Sequence, residues 1–297
     1  SSESATPANR PALILGYTQA TTTPTSLTWG GQTWAIKSSS GLVGPGPNVF
    51  SGWNAWTDGS GYLHLRIDQS GGTWRSSEVI APTSLGYGRY TFTLGSDVSA
   101  LPTWAVLGLF TWSDTPDYHN REIDYEFSRW DWTADTTNAQ MVVQPWDTAG
   151  NLRRFTTTAD PVSTHTFDWT AGAITFESRT GAGVLIDRWV YTGASIPVPG
   201  DERVHLNLWS YQGHAPAGNQ PVEVIVRSFA FTPAGPPPPP PPTAPGSFGK
   251  SSPKNAAKVT ASSSITLSWA ASSGAQSYQY CTGATAAAAS NCATWTS

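Results

Sequence analysis

Three acidic side chains alternate along one short segment of the chain, Glu122-Ile-Asp-Tyr-Glu126. In an extended strand alternate side chains point to the same face, so Glu122, Asp124 and Glu126 share one face and the apolar residues between them share the other. A core strand excludes unpaired carboxylates, and an exposed strand gains nothing from three neighbouring like charges. The pattern therefore favours chemistry that needs two carboxyl groups in different protonation states over an exposed face that happens to alternate.

The spacing of these acids limits the class of reaction that they could catalyse. The outer Cα atoms lie about 13 Å apart in a strand that rises about 3.3 Å per residue. Glutamate side chains that lean towards each other bring their carboxyl groups to roughly 5–6 Å, which is the separation in retaining and not in inverting glycosidases. Asp124 between them can hydrogen-bond to one glutamate and raise the pKa of whichever must hold a proton. The segment thus predicts a nucleophile, an acid/base and a tuning carboxylate on one strand.

Short strands separated by clusters of Gly, Pro, Asp, Asn and Ser must position this segment. Helical periodicity is weak, so the predicted fold class is all-β, with two antiparallel sheets packed as a sandwich. The clearest predicted strands, besides the acidic one, are Tyr62–Ile67, Gly88–Leu94, Gln140–Gln144, Ala173–Glu177 and Val222–Phe231.

A run of prolines, Pro236–Pro242, divides the chain. Such a run adopts extended polyproline II structure and acts as a semi-rigid spacer between domains. The predicted organisation is a disordered tail, a large β-sandwich, a Pro-rich linker and a partial domain, over residues 1–11, 12–234, 235–247 and 248–297.

The segment after the linker resembles part of a fibronectin type III module. Its segments Ile265–Trp269 and Ser277–Tyr280 are similar to the second and third strands of that module. About 50 residues follow the linker, where an immunoglobulin-like sandwich needs about 100, so we expect a truncated accessory domain. Cys281 and Cys292, the only two cysteines, are spaced to close a hairpin-sized loop as a disulfide.

Composition excludes several classes of partner. Charged residues make up 12% of the chain and the formal net charge is −4. The chain therefore lacks the excess of positive charge that binds nucleic acid or an anionic membrane surface. No apolar run approaches the ~18 residues that span a bilayer. The chain opens without Met, so we expect a processed product that has lost an export signal, and cysteine usage agrees with export. We therefore expect a secreted monomer that acts on a neutral or wall-bound substrate.

The motif Glu122-x-Asp-x-Glu126 resembles the active-site motif of family 16 glycoside hydrolases, in the form without an extra bulge residue that bacterial lichenases and plant xyloglucan-acting enzymes carry. The resemblance implies that Glu122 is the nucleophile, Asp124 the assisting carboxylate and Glu126 the acid/base. It also implies a jelly-roll sandwich, similar to concanavalin A, with a substrate cleft across its concave sheet. The resemblance covers residues 45–233.

Other segments follow the order of that family. They are Ser77–Ile80 with Gly86–Tyr90 upstream of the motif, then Thr164–Trp169 with Ala173–Phe176, and finally Val204–Trp209 with a sugar-contacting tryptophan. Two departures flank the motif: Arg121 stands where an acid is common, and Ser128–Trp132 replaces a Leu-Gly and a short polar stretch. These departures leave the substrate open.

Aromatic residues are the first candidates for substrate binding, because pyranose rings present flat C–H faces that pack on aromatic rings. The chain has 15 tryptophans, and for any single one a place in the sandwich core is an equal alternative. The candidates are Trp112, Trp209, Trp130 and Tyr211, with Trp104, Trp132 and Trp146 also near the predicted cleft. Polar candidates are Asn207, which alternates with Trp209, and more weakly Asn54 and Arg89.

No metal or cofactor site is predicted. The five histidines, His64, His119, His165, His205 and His214, do not cluster at metal-ligand spacing. Similar proteins can hold a structural calcium ion on the convex face, but no EF-hand loop is present. Nucleophile-elbow, phosphate-loop and dinucleotide motifs are absent as well, so serine-hydrolase and nucleotide chemistry have no support.

The predicted function is hydrolysis of internal linkages of a β-glucan, β-1,3-1,4 or β-1,3, with retention through a glycosyl-enzyme on Glu122. Two alternatives stay open. A non-catalytic jelly-roll carbohydrate-binding protein would keep the strand without turnover, and a transglycosylase would replace water by an acceptor sugar in the second step.

Overall fold

The computed structural model describes residues 22–215, 220–235, 249–252, 254, 264–273, 275 and 277–280. The chain divides into two compact units, Ser1–Gly235 and Pro236–Ser297. Among the described residues, no helix is long and apolar enough to cross a membrane.

The described residues of the first unit form sixteen strands. They are β1 (Ser26–Trp29), β2 (Gln32–Ile36), β3 (Val49–Phe50), β4 (Ala55–Thr57), β5 (Leu63–Ser70), β6 (Thr73–Ile80), β7 (Gly88–Leu94), β8 (Ala105–Trp112), β9 (Ile123–Phe127), β10 (Ala139–Val143), β11 (Leu152–Phe155), β12 (Ser163–Trp169), β13 (Ile174–Thr180), β14 (Leu185–Tyr191), β15 (Arg203–Ser210) and β16 (Val222–Pro233). Single 3-10 turns occur at Gly52–Asn54, Val98–Ala100, His119–Arg121 and Tyr211–Gly213.

The strands form two layers of a jelly-roll sandwich. One layer has the order β11-β10-β9-β8-β15-β6, and β2 and β3 also pair with β6. The other has the order β5-β16-β7-β12-β13-β14, with β4 paired to β5. The β5–β6 hairpin joins the two layers, because its turn end pairs Asp68–Ser70 with Thr73–Arg75. All pairings are antiparallel except that of β3 with β6.

The core lies between the layers because each strand turns its apolar set inward. On β9 the side chains of Ile123, Tyr125 and Phe127 are fully buried. The hydroxyl of Tyr125 donates to the carbonyl oxygen of Thr166 on β12 at 3.0 Å, and its ring packs edge-on against Phe176 of β13 at 5.4 Å. The inward half of the acidic strand therefore anchors it to the opposite layer, and its carboxyl groups point away from the core.

The all-β sandwich expected from the sequence is confirmed, and differences are confined to strand ends. The strand predicted at Gly88–Leu94 has those bounds in the structure, while β5 and β13 extend three residues past their predicted ends. The acidic strand starts at Ile123, because Arg121 belongs to a 3-10 turn with a positive φ of 51°.

In the second unit, β17 (Lys250–Ser252) pairs with β18 (Ser268–Trp269). This two-stranded sheet does not identify a fold, so the fibronectin type III-like module stays a prediction. Cys281 and Cys292, predicted to form a disulfide, lie outside the described residues.

Candidate active site

The acidic strand β9 lies inside its layer, between β8 and β10. Asp124 is 2% exposed, while Glu122 and Glu126 are half-buried on the same face. Thr111 of β8 fixes the start of the strand: its Oγ1 donates to the carbonyl oxygen of Arg121 at 2.8 Å and accepts from the amide of Ile123 at 3.2 Å. Asp124 and Glu126 thus stand on a central strand of the layer, and Glu122 is the extended residue immediately before it.

A cavity of about 680 Å³ opens over this face. Its floor and walls include the three acids and, from neighbouring strands, three further polar residues and two tryptophans. These are Glu122, Asp124 and Glu126, then Glu78, His205 and Asn207, then Trp112 and Trp209. The structure therefore brings the predicted carboxylates together with three of the predicted binding residues, Asn207, Trp112 and Trp209.

Strand register explains why these residues meet. Residues opposite each other on adjacent antiparallel strands point to the same face. The pairing partner of Glu126 is Gln140 on one side and Gly108 on the other. Gly108 in turn pairs with Asn207, and Asn207 pairs with Glu78. One row across five strands thus carries an acid at Glu126, a glycine whose missing side chain leaves room for the amide of Asn207, and a second acid at Glu78.

Asp124 lies at the centre of the carboxyl cluster. Its carboxyl group is hydrogen-bonded to that of Glu122, and Nε2 of Gln144 donates to its Oδ2 at 3.1 Å. Oε1 of Gln144 accepts from the backbone amide of Trp146, which orients the amide group with its nitrogen towards Asp124. Two carboxyl groups can share a hydrogen bond only when one holds a proton.

The pKa shifts assign that proton to Asp124. Burial raises the pKa of Asp124 well above its usual range, and the charges of Glu122 and Glu126 and the hydrogen bond to Glu122 add to this. Burial and the charge of Glu126 also raise the pKa of Glu122, but the hydrogen bond from Asp124 opposes the increase. Neutral Asp124 therefore donates to Glu122 and favours its ionised form.

Glu126 has a different environment. Burial raises the pKa of its carboxyl group, while a hydrogen bond from Gln140 and the positive charge of Arg154 oppose the increase. Nε2 of Gln140 donates to Oε2 of Glu126 at 2.6 Å. The cluster thus holds one glutamate beside a neutral acid and another beside a neutral amide, which gives two carboxyl groups distinct roles on one strand.

Glu78 carries a fourth buried carboxylate in the cavity, and the sequence reading did not select it. Its Oε1 lies 2.9 Å from Nδ1 of His205 and its Oε2 lies 2.9 Å from Nζ of Lys37. Burial alone would raise the pKa of Glu78, but the hydrogen bond to His205 and the charge of Lys37 hold it below its ordinary value. Glu78 is therefore ionised and serves as a fixed anion opposite the acidic strand.

Two buried polar atoms beside Glu78 have no hydrogen-bond partner among the described residues. They are Nε2 of His205 and Oδ1 of Asn207. Both residues line the cavity, and buried polar atoms are costly unless they are hydrogen-bonded. Both atoms are enclosed, so a ligand hydroxyl group can satisfy them only after the side chains turn towards the cavity.

The aromatic candidates divide into two groups. Trp112 and Trp209 line the cavity. Trp130 and Tyr211 stand behind Trp209. The ring centroid of Trp130 lies 5.9 Å from that of Trp209 and 5.3 Å from that of Tyr211. They belong to a small apolar cluster with Phe50 and Val106, so they support the cavity wall. Of the other tryptophans, Trp104 is buried in the main core, whereas Trp132 and Trp146 are more than 60% exposed.

Two predicted binding residues lie away from the cavity, and these assignments are corrected. Arg89 is on β7 in the opposite layer, where its neighbours Tyr90 and Phe92 alternate inward, so its side chain faces outward and pairs with Asp168 at 2.6–2.8 Å. Asn54 is buried, and its Nδ2 donates to the carbonyl oxygens of Arg66 and Arg75 at 3.2 and 2.7 Å. Its role is to join backbone segments.

The described residues contain no group of three or more His, Cys, Asp or Glu side chains arranged to hold a metal ion. The carboxyl groups of Glu122, Asp124 and Glu126 are occupied by one another and by two glutamine amides.

Comparisons with known proteins identify the fold. No protein-family model matches the chain, and no curated protein sequence matches it. Among solved structures it is similar to the β-glucanase of Bacillus licheniformis, with a TM-score of 0.54, 19% identity and coverage of 71% of this chain and 97% of that chain. It is also similar to a glycoside hydrolase family 16 endo-glucanase from Bacteroides ovatus, with a TM-score of 0.51, 11% identity and coverage of 67% and 94%. A laminarinase from Flavobacterium sp. UMI-01 has a TM-score of 0.51, 12% identity and coverage of 67% and 92%. The first unit therefore has the fold of family 16 glycoside hydrolases.

Proposed function

We propose that this chain is a retaining glycoside hydrolase that cuts internal linkages of a β-glucan, β-1,3-1,4 or β-1,3. One observation carries the proposal: Glu122, Asp124 and Glu126 stand together on the floor of an open cavity, with raised pKa values and unlike hydrogen-bond partners. Buried carboxyl groups with no catalytic use would only destabilise the fold, because none of the three has a direct cationic partner in the described structure.

The roles are assigned from the hydrogen-bond partners, because the pKa values, raised to about 8 for Glu122 and about 7 for Glu126, do not separate the nucleophile from the acid. Glu122, which accepts a hydrogen bond from neutral Asp124, attacks the anomeric carbon while protonated Glu126 gives its proton to the leaving glycosidic oxygen. The products of this step are a glycosyl ester on Glu122 and a free sugar hydroxyl. Ionised Glu126 then removes a proton from water, and the water oxygen displaces Glu122 from the anomeric carbon. Two inversions at that carbon give net retention.

The opposite wall supports a neutral sugar as the substrate. His205 and Asn207 line the cavity and carry hydrogen-bonding atoms that no described residue uses, and Trp112 and Trp209 offer aromatic faces in the same cavity. We propose β-glucan in particular because the solved structures with this fold include a β-glucanase, an endo-glucanase and a laminarinase. We further propose that the protein acts outside the cell, where polymeric glucans are accessible.

An activity screen tests the proposal. The protein is incubated with mixed-linkage β-glucan, laminarin, cellulose oligosaccharides and a galactan, and new reducing ends are measured beside a Glu122→Gln control. We expect reducing ends from at least one β-glucan and a loss of at least 10³-fold in the variant, because the ester cannot form without the nucleophile.

Other outcomes would overturn the proposal. Binding to a glucan without new reducing ends indicates a carbohydrate-binding protein, and products longer than the substrate indicate a transglycosylase. Full activity in the Glu122→Gln variant would show that the reaction occurs elsewhere.

A further inference from the structure

Arg154 lies two strands away from Glu126 and is connected to it by one side chain. Gln140 pairs with Glu126 across β9 and β10, and Arg154 pairs with Gln140 across β10 and β11. The three side chains therefore form a line on one face of the layer. Nη1 of Arg154 donates to Oε1 of Gln140 at 3.1 Å, and Nε2 of Gln140 donates to Oε2 of Glu126 at 2.6 Å.

This line fixes the orientation of the Gln140 amide. Arginine can only donate hydrogen bonds, so the amide oxygen of Gln140 must face Arg154 and the amide nitrogen must face Glu126. An amide without the arginine could rotate by half a turn and present its oxygen to Glu126 instead. Arg154 thus determines that Glu126 always meets a donor at Oε2.

A fixed donor at Oε2 decides where Glu126 carries its proton. An oxygen that accepts a short hydrogen bond from an amide serves as the carbonyl oxygen of the protonated acid, so the proton resides on Oε1. Oε1 has no hydrogen-bond partner among the described residues and is not one of the enclosed unpaired atoms. It is therefore the oxygen available to a ligand in the cavity.

We infer that Arg154 is a positioning residue for general acid catalysis. Through Gln140, Arg154 keeps the proton of Glu126 on the oxygen that meets the leaving group. This inference rests on the proposed function and extends it to a residue outside the cavity lining.

Arg154 is held firmly enough for this task. Its guanidinium group donates to Oγ1 and the carbonyl oxygen of Thr137 at 2.8 and 3.1 Å and to the carbonyl oxygen of Ser128 at 3.3 and 3.2 Å. It also forms an ion pair with Asp135 at 3.3 Å, and its side chain is 20% exposed. These bonds tie it to the loop that follows the acidic strand.

The neighbouring Arg153 provides a matched control. It is on the same strand but points to the other face, where it forms an exposed two-bond pair with Asp187 at 2.8 Å. Arg153→Met removes an arginine of the same strand without touching Gln140.

The test compares leaving groups. Phenyl glycosides of a β-glucan trisaccharide need an acid to protonate the departing oxygen, whereas the 2,4-dinitrophenyl glycosides leave without one. We expect Arg154→Met to lower kcat/KM on the phenyl glycoside about 10²-fold and on the dinitrophenyl glycoside less than about 3-fold, since general acid catalysis contributes about 10²–10⁴-fold. Arg153→Met should leave both values within about 2-fold of wild type.

A double-variant cycle and a pH profile distinguish positioning from support of the loop. Gln140→Met should show the same leaving-group dependence, and Arg154→Met with Gln140→Met should be no worse than Gln140→Met alone. Loss of the positive charge of Arg154 should raise the pKa of Glu126, so the alkaline limb of kcat/KM should move to higher pH. If Arg154→Met does not fold, Arg154→Gln carries the same comparison, because its amide can accept as well as donate and no longer fixes the orientation of Gln140.

Two results would overturn the inference. One is an equal loss on both glycosides in the Arg154 variants, and the other is additive losses in the double variant. A wild-type protein that cleaves neither glycoside would instead contradict the proposed function itself.

Discussion

Oε1 of Glu78 lies 2.9 Å from Nδ1 of His205, and this contact joins neighbouring strands beneath the cavity. The other oxygen of Glu78 contacts Nζ of Lys37 at 2.9 Å, just after the end of β2. The side chain of Glu78 is 3% exposed and that of His205 is 7% exposed. One buried carboxylate therefore connects three segments of the layer that carries the acidic strand.

Glu78→Gln should lower the free energy of unfolding by about 2 to 4 kcal/mol at pH 7, because an amide cannot accept hydrogen bonds from both Nζ of Lys37 and Nδ1 of His205 as the carboxylate does. The folded-state pKa of Glu78 lies below its ordinary value of 4.5. Its stabilisation is therefore present above pH 4.5 and is lost as the pH falls through the lower folded-state value.

Urea unfolding at pH 7 and near pH 3 checks this prediction. The difference in free energy of unfolding between wild type and variant should be smaller near pH 3. Asp68→Asn serves as the control, because the pair of Asp68 with Arg66 is half-exposed and should contribute about 1 kcal/mol or less. A difference of equal size at both pH values would contradict the assignment of an ionised Glu78.

Asp124 affects the pH dependence of stability in the opposite direction. Burial and the neighbouring glutamates raise its folded-state pKa well above the ordinary value of 3.8. The folded protein therefore binds this proton more tightly than the unfolded chain, and stability decreases as the pH rises from 3.8 towards the folded-state value. Asp124→Asn stays neutral at every pH and does not pay this penalty.

We expect Tm of Asp124→Asn to exceed that of wild type by roughly 2 to 8 °C at pH 8, with a difference close to zero at pH 4. Thermal melts across this range measure the trend. Asp114→Asn changes an exposed acid of the same cavity and should show no such trend. A difference that is larger at pH 4 than at pH 8 would show that Asp124 is ionised in the folded protein.

Azide rescue separates the roles of the two glutamates. In Glu122→Ala, azide takes the place of the nucleophile and attacks a β-glycoside from the opposite face, so the product should be an α-glycosyl azide. In Glu126→Ala the ester on Glu122 still forms from a dinitrophenyl glycoside, and azide attacks it to give a β-glycosyl azide. Proton NMR of the products identifies the anomers, and the exchanged pattern would reverse the two assignments.

The acidic strand was predictable because its signal is local. Alternation with a period of two places Glu122, Asp124 and Glu126 on one face whatever the rest of the chain does. Asn207 and Trp209 were found in the same way, since they alternate on one strand and both line the cavity.

The remaining site residues depend on register between strands that are distant in sequence. Glu78 meets His205 across a sequence separation of 127 residues, and Arg154 reaches Glu126 only through the pairing of three strands. No periodicity in one segment reveals such a pairing. Arg89 was misplaced for a related reason: its strand alternates as expected, but the sequence alone does not tell which layer that strand joins.

Gly108 provides a test of the opposite wall. It lies between Glu126 and Asn207 in the row across the layer, and a Cβ at this position would lie 2.5 Å from Oδ1 of Asn207 and 3.4 Å from Cδ1 of Phe110. The amide of Asn207 would have to move from its present position to make room.

If Asn207 binds substrate, Gly108→Ala should raise KM about 10-fold, which corresponds to the loss of about one hydrogen bond, and should change kcat less. Steady-state kinetics on the best glucan of the screen measure both. Gly172→Ala controls for the substitution itself, because a Cβ at that turn meets open space. Since the alanine acts by displacing Asn207, Gly108→Ala combined with Asn207→Ala should be no worse than Asn207→Ala alone. Additive losses would mean that the glycine leaves room for the substrate itself and not for Asn207.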